Sequence, residues 1–199
     1  LLFTEIYLDR YFTDPDRLLA QLNATVTPLN SGPLAAGPVD PYTPADLRKL
    51  AFWMATGSGK TLLLHVNLLQ FQHYLTLHGR EREINRTILI TPNEGLSRQH
   101  LEEFERSGLP AELFAKAGAS LFSGRAIEIL DIHKLAETSG DKTIAVDAFE
   151  QNNLVFVDEG HRGAGGVEWK DKRDRLAAQG FSFEYSATFG QAIKAAASE

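Results

Sequence analysis

Short apolar runs alternate with longer segments of helical periodicity along most of this chain. The apolar runs predict strands at 50–54, 87–91, 126–131, 153–158 and 181–186. The periodic segments predict helices at 61–78, 96–107, 110–117 and 168–179. Strands that alternate with helices predict an α/β fold, in which helices cover both faces of a parallel sheet.

The first part of the chain follows a different pattern. Residues 1–22 predict helix, with a break or a new helix start at Asp14-Pro15. Five of the eight prolines then fall between Thr27 and Pro44, and this composition predicts a loop or linker. We therefore expect a helical segment at 1–26, a linker at 27–44 and one α/β domain at 45–199.

A glycine-rich turn, Met54-Ala-Thr-Gly-Ser-Gly-Lys-Thr61, lies between the first predicted strand and the helix that follows it. Strand, turn, Gly-Lys-Thr and helix are together the context of a phosphate-binding loop, although the general pattern has glycine where Met54 stands. Lys60 is expected to reach the outer phosphates, and the Thr61 hydroxyl to bind Mg²⁺. The predicted nucleotide-binding residues are Thr56, Gly57, Ser58, Gly59, Lys60 and Thr61.

An acidic pair, Asp158-Glu159, ends the predicted strand at 153–158. Two adjacent carboxylates beside apolar strands are costly unless a cation balances them. Asp158 is therefore predicted to hold Mg²⁺ together with Thr61. Glu159 is predicted to orient and polarise an attacking water. With Lys60, these two carboxylates form the predicted catalytic set.

These segments resemble motifs of the superfamily 2 helicases and translocases. Asp158-Glu-Gly-His161 resembles motif II, and the turn at 54–61 resembles motif I. Three further segments follow in the expected order. Residues 88–93 resemble motif Ia, residues 132–135 resemble a nucleic-acid-contacting segment, and Ser186-Ala187-Thr188 resembles motif III. Within the superfamily, 52–56 and 93–99 look most like bacterial DEAD/DEAH-box proteins related to type III restriction (Res-type) subunits.

The resemblance implies the first RecA-like P-loop NTPase domain of a cytoplasmic helicase or translocase that hydrolyses ATP with Mg²⁺. It also implies a coupling contact between His161 and the hydroxyls of Ser186 and Thr188. The implied partners are nucleic acid, with DNA favoured over RNA, a second RecA-like domain and, among restriction systems, a methyltransferase subunit. The implied nucleic-acid contacts are Thr91, Pro92, Asn93, Arg98 and Lys134.

Two features depart from the family pattern. No adenine-reading glutamine motif precedes the phosphate loop, because Gln21 is the only upstream glutamine and the proline-rich stretch separates it from the loop. The chain begins at Leu1 and ends shortly after the motif III tripeptide. We therefore expect a piece of a longer protein that lacks the second RecA-like domain with its arginine finger, and poor activity of this piece alone.

Composition restricts the alternatives. The net charge of −6 is not that of a dedicated DNA-binding domain, and the absence of cysteine excludes disulfides and thiolate metal sites. No apolar run is long enough to span a membrane. The basic residues of the middle third can form a local patch or a scattered surface; they are Arg80, Arg82, Arg86, Arg98, Arg106, Arg125 and Lys134.

Two other functions remain open on the same loop. One is a phosphotransferase or GTPase-like switch, which the Asp-Glu pair disfavours, and no Asn-Lys-x-Asp base reader is present. The other is a nucleotide-binding interaction module without turnover. A nuclease site made by Asp158 with Glu168 and Lys170 is disfavoured because Asp158 belongs to motif II. The histidines lack metal-binding spacing, and His100 and His133 show no partner in the sequence.

Overall fold

The computed structural model describes residues 1–31, 39–55, 57–114, 126–136, 143–158 and 166–187, with the backbone alone at 31 and 166–170. The chain forms two compact units. One consists of Leu1–Lys49 with Val66–Glu81, and the other of Leu50–His65 with Arg82–Glu199.

The second unit is built on a six-stranded sheet. Its strands are β1 (Lys49–Trp53), β2 (Arg86–Thr91), β3 (Ala111–Leu113), β4 (Ile127–Asp131), β7 (Asn153–Asp158) and β8 (Phe181–Ser186). Two further strands, β5 (Leu135–Ala136) and β6 (Ile144–Ala145), form a separate parallel pair. The order in the large sheet is β1-β8-β7-β2-β4-β3. The pairs β2–β4, β2–β7, β3–β4 and β7–β8 are all parallel.

Helices cover both faces of this sheet. Helix α5 (Gly166–Leu176) places Leu176 in a cluster with Val155 and Val157 of β7. Helix α4 (Glu94–Arg106) places His100 against Asp158, the next residue of β7. Because neighbouring residues of a strand point to opposite faces, α4 and α5 lie on opposite sides. The predicted α/β fold with a parallel, doubly covered sheet is confirmed.

One predicted helix is wrong. Residues 110–117 were expected to be helical, but Ala111–Leu113 form β3, which pairs with β4 at the edge of the sheet. The N–H of Ile127 donates to the Pro110 carbonyl at 2.9 Å, and the N–H of Phe114 donates to the Ile129 carbonyl at 2.8 Å. Pairing with an existing strand thus overrides the helical propensity of the segment.

The first unit contains α1 (Leu2–Thr13), α2 (Pro15–Ser31), a 3₁₀ turn at Asp46–Arg48 and the later turns of α3 (Lys60–Leu77). Phe12 packs edge-on against Phe71 at 5.4 Å between ring centroids and stacks on Tyr74 at 5.9 Å. The break predicted at Asp14-Pro15 is present, because Asp14 Oδ1 accepts the Arg17 N–H at 3.0 Å and caps α2. Over the described residues, no helix is both long and apolar enough to cross a membrane.

Helix α2 extends beyond the boundary predicted for the first helical segment. Helix α2 continues through Thr27 and Pro28 to Ser31, which corrects the predicted boundary at 26. Two asparagines of this helix bind the returning chain in both directions. The side-chain amide of Asn23 donates to the Tyr42 carbonyl at 3.0 Å, and its oxygen accepts the Tyr42 N–H at 2.7 Å. The side chain of Asn30 makes the same two bonds with the carbonyl and the N–H of Val39. These bonds hold the last turns of α2 in place despite the proline.

Candidate nucleotide-binding site

The turn between β1 and α3 carries two glycines in the backbone conformation that a phosphate-binding loop requires. Gly57 and Gly59 adopt φ angles of 76° and 88°, a left-handed region that favours glycine. Ser58 closes the turn, because its N–H and its hydroxyl both donate to the Ala55 carbonyl, at 3.2 and 2.6 Å. Among the residues that the structure describes, a β-carbon at either glycine would meet no atom within 4 Å. The loop therefore borders open space that can receive a ligand.

Helix α3 begins at Lys60, directly after this loop. The Leu63 N–H donates to the Gly59 carbonyl at 3.0 Å, which closes the first helical turn. The first N–H groups of a helix have no partner within it, and the helix dipole adds partial positive charge at the same end. Lys60 and Thr61 are half-buried in this first turn. The arrangement suits a phosphate group.

The sheet order brings three predicted motifs to one edge. Strand β8 lies between β1, which leads into the loop, and β7, which ends in Asp158. The Met54 N–H donates to the Ser186 carbonyl at 3.0 Å, and the Trp53 indole N–H donates to the Ala187 carbonyl at 2.9 Å. The carboxyl edge of a parallel sheet is where α/β proteins bind ligands. The loop, Asp158 and Ser186 therefore share one edge.

Asp158 is buried and held by a residue that the sequence pattern did not single out. Its Oδ2 lies 2.9 Å from His100 Nε2, and the two residues are 8% and 2% exposed. Within the described parts of the chain, Asp158 Oδ1 is buried and has no hydrogen-bond partner. The spacing of Ser97, His100 and Phe104 on α4 is that of a buried helix face. That spacing is the feature of the sequence that could have indicated that His100 is buried.

A second histidine packs behind this pair. His65 Nδ1 lies 3.0 Å from Ser107 Oγ, and its ring stacks on Phe104 at 4.3 Å between centroids. Burial lowers the pKa of His65, nearby His100 lowers it further, and Glu103 opposes both effects. Within the described ranges, no three His, Cys, Asp or Glu side chains form a metal cluster. His65 is thus a packed histidine.

The donors present nevertheless fit Mg²⁺ bound together with a nucleotide. Magnesium usually takes one or two protein ligands and fills its octahedron with phosphate oxygens and water. Asp158 offers a buried carboxylate oxygen without a partner among the described residues, and Thr61 offers a hydroxyl beside the loop. A site of this kind needs no cluster of protein ligands.

The turn predicted to touch nucleic acid divides into buried and exposed residues. The Thr91 hydroxyl lies 2.6 Å from Ser97 Oγ and 3.2 Å from the Asn93 carbonyl, and Thr91 is fully buried. This corrects its predicted role, because the side chain shapes the turn and offers no surface to a ligand. Asn93 is exposed and caps α4 by accepting the Leu96 N–H at 2.9 Å. Pro92 is half-buried.

Arg98 and Lys134 both lie close enough to Glu94 to act on its carboxyl. Arg98 forms an ion pair with Glu94 at 2.8 Å. The bond from Arg98 lowers the pKa of Glu94, and the nearby charge of Lys134 lowers it further. The structure thus brings together two basic residues from α4 and from the 3₁₀ turn Ile132–Lys134.

Three other basic residues of the middle third each have a local partner. Arg86 binds buried Glu128 at 3.0 Å, and burial raises the pKa of that carboxyl while Arg86 lowers it. Arg106 pairs with Glu102 at 3.4 Å. Arg80 lies over the Phe12 ring, 4.9 Å from its centroid. These contacts favour the scattered reading of the basic residues.

Several predicted site residues lie outside the described residues: Thr56, Glu159, His161, Thr188 and Arg125. The side chains of Glu168 and Lys170 lie outside them too. Their predicted roles, including the contact of His161 with Ser186 and Thr188, stay predictions.

The fold and the glycine-rich turn together have the α/β architecture of the RecA-like P-loop class. The sequence profile of the family described as "Type III restriction enzyme, res subunit" matches residues 17–191, and the chain belongs to this family. The Res-type resemblance is therefore confirmed. The match covers the phosphate loop, the Asp-Glu pair and the motif III tripeptide.

No curated protein sequence is significantly similar to this chain. Among solved structures, the chain is similar to the UvsW helicase from Bacteriophage T4, with 16% identity and a TM-score of 0.49 over 73% of this chain and 48% of that one. It is also similar to the Sulfolobus solfataricus SWI2/SNF2 ATPase core in complex with dsDNA, with 13% identity and a TM-score of 0.48 over 88% and 31% of the two chains. The chain thus spans less than half the length of either protein.

Proposed function

We propose that this chain is the ATP-binding motor domain of a nucleic-acid helicase or translocase, in a bacterial restriction or defence protein. The observation that carries the proposal is the meeting of the phosphate loop, Asp158 and Ser186 at one edge of the sheet, in a chain of the Res-subunit family. A phosphotransferase does not need a water-polarising Glu159 beside a magnesium-binding Asp158.

The residues divide the work of ATP hydrolysis among them. The loop N–H groups and Lys60 bind the phosphates, and Thr61 with Asp158 would hold Mg²⁺. The ion, when bound, neutralises charge on the phosphate oxygens. Glu159 orients and polarises the attacking water. A charge donor from a second RecA-like domain is worth about 10³–10⁵ in rate, so the chain alone hydrolyses ATP slowly.

Nucleic acid is the proposed partner on the surface that carries Asn93, Arg98 and Lys134. DNA is favoured because the family is one of restriction subunits. One basic surface on a chain of net charge −6 gives weak and salt-sensitive binding. The second RecA-like domain and a methyltransferase subunit are the further proposed partners, in the cytoplasm.

Nucleotide affinity tests the phosphate loop. Lys60→Ala is expected to abolish ADP binding in Mg²⁺ or weaken it about a hundredfold, because a preorganised charge donor is lost. Lys172→Ala on α5 is the matched control and should bind as the parent does. Titration calorimetry measures both, and parent affinity in Lys60→Ala would refute the assignment.

Hydrolysis by the full-length protein separates the proposed motor from its alternatives. A motor is stimulated by DNA, a phosphotransferase requires an acceptor, and an interaction module does not turn over. Glu159→Gln should keep ADP binding and lose hydrolysis, because an amide holds the geometry but polarises water poorly. Hydrolysis at the parent rate in this variant would show that motif II has been misread.

A further inference from the structure

His100 is the nearest described partner of the carboxylate at the end of β7. Its Nε2 lies 2.9 Å from Asp158 Oδ2. The Asp158 backbone is fixed by the parallel register that places it opposite Tyr185 of β8. With the backbone fixed, the remaining freedom of Asp158 is the rotation of its side chain, and the bond to His100 restricts that rotation.

The chemistry of the pair fixes the direction of the bond. An ionised carboxylate has only acceptor atoms, so His100 Nε2 must carry the hydrogen. This holds whether the imidazole is neutral or charged. The bond occupies Oδ2, and Oδ1 remains buried without a hydrogen-bond partner in the described part of the chain. A buried carboxylate oxygen without a hydrogen-bond partner is suited to binding a cation.

His100 is itself held rigidly. The first turn of α4 is attached to β2 by the 2.6 Å contact between Ser97 Oγ and Thr91 Oγ1. The Asn93 cap fixes the start of the helix. The ring of Phe104 lies 6.4 Å from that of His100, on the same buried face. The imidazole therefore reaches Asp158 from a helix whose position the sheet determines.

We propose that His100 is the positioning residue of Asp158, and that it holds Oδ2 so that Oδ1 points to the magnesium ion of a bound nucleotide. This inference rests on the proposed function, because it requires nucleotide and Mg²⁺ at this edge of the sheet. Mg²⁺ demands nearly ideal octahedral geometry, so the orientation of a ligand oxygen matters more for it than for larger cations. Residues that orient a ligand typically change metal affinity about 10–100-fold when replaced.

Two variants separate the hydrogen bond from packing. His100→Phe keeps a ring beside Phe104 and removes the donor, whereas His100→Gln removes the ring and keeps an N–H donor. His73→Ala, an exposed histidine on α3, is the control for histidine loss. In the full-length protein, ADP affinity is measured by calorimetry over a Mg²⁺ series and in EDTA.

We expect His100→Phe to bind ADP in EDTA with the affinity of the parent. The Mg²⁺ concentration that gives half of the magnesium-dependent gain in ADP affinity should rise about tenfold or more. His100→Gln should restore most of the parent Mg²⁺ response. A parent Mg²⁺ response in His100→Phe would overturn the inference. An imidazole nitrogen NMR spectrum of the parent protein gives a test without a variant, because an unprotonated Nε2 on His100 would overturn it too.

The Lys60→Ala variant separates failure of the inference about His100 from failure of the proposed function. If Lys60→Ala loses ADP binding while His100→Phe keeps the parent Mg²⁺ response, the inference alone is wrong. If Lys60→Ala binds ADP at the parent affinity, the proposed function is wrong, and the role of His100 falls with it.

Discussion

Gly180 is a position where an added β-carbon should strongly lower the free energy of unfolding. It precedes β8, and a β-carbon there would lie 2.6 Å from the nitrogen and 2.7 Å from the carbonyl carbon of Asn153. These atoms are backbone at the start of β7 and cannot move aside alone. Gly180→Ala must therefore push the starts of two neighbouring strands apart.

The cost follows from what Asn153 holds. Its buried amide donates to the carbonyls of Phe149, Glu150 and Leu176 at 3.1, 3.1 and 2.8 Å. Overpacking of a tight contact costs about 1–3 kcal/mol, and each of these bonds that is lost adds about 1 kcal/mol. We expect Gly180→Ala to lower the free energy of unfolding by about 3 kcal/mol, a large part of the roughly 5–15 kcal/mol of a typical domain.

Urea denaturation followed by circular dichroism measures this loss. Gly95→Ala is the matched control, because Gly95 lies within α4 and an added β-carbon meets only the Asn93 side chain, at 3.3 Å. Alanine there should be neutral or stabilise the helix by up to about 1 kcal/mol. A Gly180→Ala variant within about 0.5 kcal/mol of the parent, the usual range of a harmless surface change, would refute the reasoning.

Three further outcomes are expected. Gly59→Ala should cost about 1–2 kcal/mol of stability in urea, because φ of 88° is strained for alanine although the space is open, and it should weaken ADP binding in calorimetry. Arg98→Ala and Lys134→Ala should each weaken DNA binding and lower its salt slope by about one in fluorescence anisotropy; an unchanged slope would exclude them as phosphate contacts. Because the fold lowers the pKa of His65, the free energy of unfolding should fall as the pH drops below about 6.5, the ordinary pKa of histidine. His65→Gln should flatten this pH dependence in urea melts at several pH values.

The strands and the phosphate loop were predictable because their signals are local. Strand β7 is largely an apolar run, β8 alternates aromatic with polar residues, and glycine stands at the two positions of the loop where φ is positive. The edge strand β3 was not predictable, because its segment has helical propensity and becomes a strand only beside β4. The extension of α2 depends on Asn30 binding Val39, a contact that the chain makes only when it returns.

The contact of His100 with Asp158 is of the same non-local kind. The periodicity of α4 marks His100 as buried, but no pattern within the helix shows which strand end it faces. That information resides in the strand order, where β2 lies beside β7. Sequence reasoning therefore named Asp158 as a candidate magnesium ligand and missed the histidine that contacts it.

The pairing of β1 with β8 also bears on how the chain is synthesised. Strand β1 leads into the phosphate loop early in the sequence, yet its neighbour in the sheet is the last strand described. While the ribosome makes the intervening segment, β1 has no partner, and pairing between such distant strands is slow. An unpaired strand is exposed to association with other chains during that interval. The proposed nucleotide binding should thus emerge only after Ser186 has left the ribosome, and it would report that β1 and β8 have paired.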